Sequence, residues 1–139
     1  MPRKLRHILL VDDSPDDNFI HKRAIRKSGL AVEISVKRDG VEAIELLRSA
    51  PVADLPDLIL LDIKMPRLDG WGFLEQLASL PDERRNHVLV IMVSTSTNLL
   101  DKERSRRYPM ITEFLSKPIT ADEIQRIVAD HFKAGAAEE

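Results

Sequence analysis

Charged and hydroxyl side chains follow four of the apolar runs in this sequence, at or near the point where each run ends. In chain order they are Asp12 and Asp13, Asp62, Ser94 and Thr95, and Lys117. Neighbouring carboxylates repel one another unless a cation compensates them, and Mg²⁺ prefers carboxylate oxygens. A lysine and a hydroxyl group can bind phosphate oxygens, and an aspartate can attack phosphorus as a nucleophile. Together, these residue types indicate Mg²⁺-dependent formation of an aspartyl phosphate.

The elements that would position these groups alternate between apolar strands and helices. Strands are predicted at residues 8–11, 33–36, 58–61, 88–93 and 111–115, and helices at 15–27, 40–48, 70–80, 100–107 and 121–132. This alternation predicts a doubly wound α/β fold, in which helices cover both faces of a parallel sheet. Ligands bind outside the carboxyl ends of the strands in such folds, which is where the polar groups would meet. The helix at 100–107 has almost no apolar stripe, so we expect it to pack lightly.

The composition fits one globular domain. The chain has 139 residues, a formal net charge of −2 and no cysteine. We expect a single domain over 1–139, with its core at about 6–132 and a short tail at 133–139 that leaves no room for a second domain. The charge gives no basic excess for nucleic acids, and the lack of cysteine excludes disulfides and thiolate sites. Without a signal sequence or an apolar run of roughly 18 residues, the chain is expected to be cytoplasmic and to have no membrane segment.

Four motifs in this order and spacing resemble the receiver domain of two-component response regulators. They read VDDSPDD, LLDIKMPRLDG, VSTS and FLSKPI, and the resemblance covers about residues 6–132. It implies a flavodoxin-like (βα)5 fold with a five-stranded parallel sheet in the order 2-1-3-4-5, as in CheY. It also implies a stand-alone regulator that catalyses its own phosphoryl acceptance and slow autodephosphorylation, and is not a metabolic enzyme.

The resemblance also implies a role for each matching residue. The phosphoacceptor is Asp62, the Mg²⁺ ligands are Asp12, Asp13, Asp62 and the main-chain carbonyl of Lys64, the phosphate-binding groups are Lys117, Ser94 and Thr95, and the switch residues are Ser94 and Phe114. Asp13 is the expected direct ligand of the acidic pair, and Mn²⁺ could substitute for Mg²⁺. The Lys117–Pro118 peptide bond would be cis. On activation, Ser94 would turn toward the phosphoryl group and Phe114 would rotate inward.

Some positions depart from the family pattern or vary within it. Residues 107–110 read RYPM, where a Gly-Ala pair is usual, so a different loop is expected before the fifth strand. Phe114 replaces the commoner tyrosine and offers no hydroxyl group. Lys64 and Ser96 occupy positions that tune phosphoryl lifetime in the family.

The partners implied by the resemblance are proteins. A sensor histidine kinase or a histidine phosphotransfer protein would donate the phosphoryl group. An unknown downstream protein would bind the face made by the fourth helix, the fifth strand and the fifth helix. No DNA-binding domain is expected, and the chain would be a monomer or a phosphorylation-dependent homodimer.

The same residue types are also compatible with other sites and other classes of protein. Asp16 and Asp17 fit a favourable interaction with a helix dipole better than a metal site. Asp57 begins the third strand, about 16 Å from Asp62, at the opposite edge of the sheet. A phosphatase of the haloacid-dehalogenase type needs a second acid two residues after its nucleophile, where this chain has Lys64. A flavodoxin would need a Ser-, Thr- and Gly-rich loop after the first strand, and here that loop is acidic.

Overall fold

The computed structural model describes residues 3–95 and 99–133, and these form a parallel sheet flanked by helices. The strands are β1 (His7–Val11), β2 (Glu33–Lys37), β3 (Leu58–Asp62), β4 (Leu89–Ser94) and β5 (Ile111–Ser116). The helices are α1 (Pro15–Lys27), α2 (Gly40–Ser49), α3 (Gly70–Ala78), α4 (Leu99–Ser105) and α5 (Ala121–His131). The five strands lie in the order β2-β1-β3-β4-β5, as predicted. Two short helical turns, Val52–Asp54 and Asp82–Arg85, were not predicted.

Two apolar cores, one on each face of the sheet, explain the uninterrupted apolar strands. Leu9 and Val11 of β1 pack with residues of α2 and α3, whereas Ile8 and Leu10 pack with residues of α1 and α5. Successive side chains of a strand point to opposite faces, so both sets must be apolar when both faces are covered. The same alternation in β3 and β4 fixes the register of the central strands. The register determines which residues lie side by side where the strands end.

Side-chain caps start several helices immediately beyond the strand ends. The Ser14 hydroxyl accepts a hydrogen bond from the Asp17 N–H at the start of α1. Thr120 and Glu123 form a reciprocal capping box at the start of α5. Caps of this kind satisfy N–H groups that have no partner within the helix. Because these helices begin a few residues after the strands end, the loops between them at the carboxyl edge of the sheet are short.

The fourth helix differs most from the prediction. It covers Leu99–Ser105 instead of 100–107. The N–H groups of Arg106, Arg107 and Tyr108 bond to carbonyls three residues earlier, which tightens the chain after the helix into 3₁₀-type turns. The Tyr108 ring stacks on Trp71 of α3 with centroids 5.3 Å apart, and the Arg104 guanidinium lies 4.6 Å from the Trp71 centroid. The unusual RYPM segment thus holds the end of α4 against α3.

Ser96 and residues 134–139 of the predicted tail lie outside the described residues. Across 3–95 and 99–133, no helix is both long and apolar enough to cross a membrane.

Candidate functional site

The ends of two neighbouring strands bring three carboxylates together. Val11 and Leu61 are partners in the β1–β3 ladder, so Asp12, directly after β1, lies beside Asp62, the last residue of β3. One carboxylate oxygen each from Asp12, Asp13 and Asp62 lies within 4.8 Å of the others. Asp12 and Asp62 are buried, and Asp13 is exposed. The structure therefore brings together the three acids that the sequence predicted to share one edge of the sheet.

Lys117 is held inside this cluster. Its Nζ donates to Asp12 Oδ2 at 2.7 Å and lies 3.3 Å from Asp62 Oδ1, and its side chain is 7% exposed. The Lys117 N–H donates to the Ser94 carbonyl at 2.9 Å, and the Lys117–Pro118 peptide bond is cis, as the resemblance implied. The loop after β5 therefore fixes the lysine relative to the end of β4, and directs its ammonium at the acids.

The pocket remains short of positive charge. Burial and the neighbouring charge of Asp12 raise the pKa of Asp62 to about 6, although Lys117 opposes the shift. Burial disfavours the ammonium of Lys117, but its hydrogen bonds with Asp12 and Asp17 outweigh burial and raise its pKa. The lysine thus stays protonated and still does not neutralise its neighbours. A set of oxygen donors that lacks positive charge fits a hard divalent cation such as Mg²⁺, or Mn²⁺ in its place.

The remaining predicted site residues lie in β4, in β5 and in the loops after β3 and β4. Ser94 is the last residue of β4 and is buried, and Thr95 after it is exposed. Val93 pairs with Asp62 across β3 and β4, so Ser94 lies one residue further toward the carboxyl edge. Lys64 lies in the loop after β3, with its side chain in solvent. Phe114 of β5 is half-buried and packs against the core beneath α2 and α3.

Two residues of α1, Asp17 and His21, contact the loop that carries Lys117, and neither contact was predicted from the sequence. Asp17 Oδ2 accepts a hydrogen bond from Lys117 Nζ at 2.8 Å, and this bond lowers the pKa of the Asp17 carboxyl. His21 Nε2 accepts from the Ile119 N–H at 3.2 Å. Asp17 was assigned only to the helix dipole. The i, i+4 spacing of these two polar residues was the available signal, because it places them on one face of the helix.

Other charged groups of the described residues have structural partners. Asp57 lies at the opposite edge, as predicted, and accepts hydrogen bonds from Arg3 Nε and from the Arg6 and His7 N–H groups. Glu113 lies near Asp130 and His131 in a second group with metal-ligand geometry. The Arg126 guanidinium donates hydrogen bonds of 2.8 and 3.1 Å to the Glu113 carboxylate and another to Asp130. This group is therefore an ion-pair network.

Gly70 lies against the backbone of Asp62, in a space too small for a larger side chain. A Cβ at Gly70 would be 2.5 Å from the Asp62 carbonyl oxygen and 3.0 Å from Ile63 Cα. Because backbone atoms cannot move aside cheaply, we expect Gly70→Ala to lower the free energy of unfolding in urea by about 1–3 kcal/mol. The control is Gly72→Ala, whose Cβ would chiefly meet the Leu68 Cδ1 methyl, which can rotate away. Equal destabilisation by both variants would contradict this account.

Comparison with models of protein families matches residues 8–129 to the response regulator receiver domain. The chain therefore belongs to the response regulator receiver family, whose members are phosphoryl-accepting switches of two-component systems and not metabolic enzymes. It is 31% identical over 126 residues to the probable methanogenesis regulatory protein FilR2 of Methanothrix harundinacea, covering 88% of this chain and 79% of that protein. It is 33% identical over 117 residues to the response regulator MprA of Mycobacterium ulcerans, covering 84% of this chain but only 46% of that protein.

Solved structures share the CheY-like architecture. A response regulator receiver protein from Dyadobacter fermentans superposes with a TM-score of 0.79 at 30% identity, covering 90% of this chain and 96% of that one. The phosphorylated cyanobacterial phytochrome response regulator RcpA gives 0.71 at 30% identity, covering 91% and 90%. The Mn²⁺-bound form of the response regulator Rcp1 gives 0.69 at 28% identity, covering 90% of each chain.

Proposed function

We propose that Asp62 accepts a phosphoryl group from the phosphohistidine of a sensor histidine kinase or a histidine phosphotransfer protein. The observation that carries this proposal is the Asp12–Asp13–Asp62 cluster, in which Asp12 and Asp62 are buried, with Lys117 directed into it. The proposed Mg²⁺ ligands are these three acids and the main-chain carbonyl of Lys64. A solved neighbour that is phosphorylated and another that holds Mn²⁺ support both parts of the proposal. We also propose the cytoplasm as the compartment of this reaction.

The transfer exchanges one bond to phosphorus for another. A carboxylate oxygen of Asp62 attacks phosphorus while the bond to the histidine nitrogen of the donor breaks, and the imidazole keeps that electron pair. With a pKa of about 6, Asp62 is mostly ionised at pH 7 and can act as the nucleophile. Bound Mg²⁺ would neutralise charge on the phosphoryl oxygens. Lys117 donates hydrogen bonds to these oxygens, and the hydroxyl groups of Ser94 and Thr95 are positioned at the same edge.

Phosphorylation would then change the protein's outer surface. We propose that Ser94 turns toward the new phosphoryl oxygens and that Phe114 moves further into the core, which shifts the population between two packings of the same fold. The face concerned is formed by α4, β5 and α5. Phe114 is only half-buried, which leaves room for such a movement, and α4 is only seven residues long. A downstream protein, or a second copy of the chain after phosphorylation, would recognise this face.

We propose that the phosphorylated protein returns to its starting state by slow autodephosphorylation and does not turn over a metabolic substrate. Water would hydrolyse the aspartyl phosphate, and the position where a haloacid-dehalogenase-type phosphatase has its second acid carries Lys64, exposed to solvent. The position therefore lacks the carboxyl group that such phosphatases use as a general acid–base for fast turnover.

Incubation with acetyl phosphate tests the proposal. We expect the intact mass to rise by one phosphoryl group in the presence of Mg²⁺ and to stay unchanged in EDTA, because the carboxylate cluster needs a cation before it can accept more negative charge. Hydrogen exchange measured with Mg²⁺ and beryllofluoride should change in residues 99–116. Metal-independent phosphorylation would contradict the proposed site, and unchanged exchange at 99–116 would contradict the proposed output face.

A further inference from the structure

The ammonium of Lys117 is shared among three acids, one of which lies outside the carboxylate cluster. Its Nζ is 2.7 Å from Asp12, 2.8 Å from Asp17 and 3.3 Å from Asp62. Asp12 and Asp62 belong to the cluster, whereas Asp17 stands in the first turn of α1. An ammonium group has three N–H donors. The two short bonds, to Asp12 and Asp17, leave the proposed phosphoacceptor with the longest contact.

The contact with Asp17 is part of a two-point connection between α1 and the lysine loop. His21, one turn further along α1, accepts the Ile119 N–H, so the helix contacts both ends of the segment 117–119. The Lys117 side chain is 7% exposed and that of Asp17 33%, so the bond lies at the boundary between the pocket and solvent. Asp17 can therefore release the lysine and be hydrated, which the buried Asp12 cannot do as easily.

Given the proposed function, we infer that Asp17 is a positioning residue, which holds Lys117 in the unphosphorylated protein and competes with the phosphoryl group for its ammonium. A phosphoryl group on Asp62 adds anionic oxygens, so Lys117 must redirect a donor from an acceptor that it already has. Asp12 is a proposed metal ligand within the pocket, and the bond to Asp17 is the one that yields. Asp17 also adds one negative charge to the surroundings of the Mg²⁺ site.

Asp17 should weaken binding of the phosphoryl group, because it competes for the ammonium, and should strengthen binding of Mg²⁺ through its charge. Asp17→Asn separates these two effects. With Mg²⁺ saturating, the variant should bind the phosphoryl mimic beryllofluoride about three- to fivefold more tightly than the wild type, because an amide competes less well for the ammonium. Without beryllofluoride, its affinity for Mg²⁺ should fall, because one negative charge is lost. Amide chemical shifts in NMR titrations measure both affinities. A general loss of structure would weaken both, so it cannot produce this split.

The matched control is Asp16→Asn, which removes the same charge from the adjacent residue. Asp16 is exposed, and among residues 3–95 and 99–133 it forms no ion pair with Lys117. The affinity of the Asp16→Asn variant for beryllofluoride should therefore equal that of the wild type. Asp17→Glu, which keeps the charge, should restore wild-type behaviour, and Asp17→Ser replaces the asparagine variant if that variant unfolds. If the wild type does not bind beryllofluoride, the proposed function is wrong. If it binds but Asp17→Asn binds no more tightly, only the inference about Asp17 is overturned.

Discussion

Replacing Asp62 with asparagine should abolish phosphoryl incorporation and, without metal, stabilise the folded protein at neutral pH. The amide is not a nucleophile toward phosphorus, so the first effect is complete. The second follows from the pKa of Asp62, which burial and Asp12 raise to about 6 in the folded protein. The unfolded chain has an ordinary aspartate pKa near 3.9. Between these two values the folded wild type retains a proton that the unfolded chain has lost, so the contribution of Asp62 to stability declines as the pH rises.

The stability difference therefore depends on pH. Near pH 3.5, asparagine and the neutral acid should be nearly equivalent, and above pH 7 the variant should be more stable by up to about 3 kcal/mol. Urea unfolding in EDTA across this pH range measures the difference. Asp16→Asn serves as the control, because its exposed carboxyl lies outside the pocket and should give no comparable gain. Added Mg²⁺ should stabilise the wild type more than Asp62→Asn. An asparagine variant that is less stable than the wild type at pH 8 would contradict the account of the pocket.

Replacing Lys117 with methionine should have the largest effect on stability. The substitution keeps the length of the side chain and removes the cation that Asp12, Asp17 and Asp62 share. Removing one partner of a buried ion pair leaves uncompensated charge, so we expect a loss of about 3–5 kcal/mol in metal-free urea unfolding at pH 7. Added Mg²⁺ should recover part of this loss. The rate of phosphorylation by acetyl phosphate should fall at least about tenfold, because a donor to the phosphoryl oxygens is gone.

The control for this variant is Lys102→Met on the exposed surface of α4, which should change stability by no more than about 0.5 kcal/mol. Lowering the pH through about 6, the pKa of Asp62, should shrink the loss in Lys117→Met, because Asp62 then takes up a proton and no longer needs the ammonium. A loss as small as that of the control would mean that Lys117 is not the counter-ion of the pocket.

The sheet and the meeting of the acids could be predicted because both depend on local patterns. An uninterrupted apolar run such as that at residues 58–61 indicates two covered faces, and parallel strands align their carboxyl ends. The order 2-1-3-4-5 came from the resemblance to the receiver family, and in that order Asp12 and Asp62 must be neighbours. The bounds of β1, α1 and β5 lie within one residue of the predicted ones for the same reason, since caps and apolar runs mark them.

The parts that were missed depend on contacts between distant side chains. Asp17 and Lys117 are 100 residues apart, and no local pattern tells which acceptor a lysine will choose. The end of α4 depends likewise on the stacking of Tyr108 on Trp71. The weak apolar pattern of α4 predicted light packing and could not reveal this anchor. Contacts of this kind follow only from the assembled fold.

The most direct test of the central claim is to locate the phosphoryl group. After incubation with acetyl phosphate and Mg²⁺, stabilisation of the acyl phosphate by borohydride reduction and peptide mass mapping should place a single modification on Asp62. The Asp62→Asn variant should carry none. Phosphorylation at another residue, or an unchanged extent of phosphorylation in Asp62→Asn, would contradict the account.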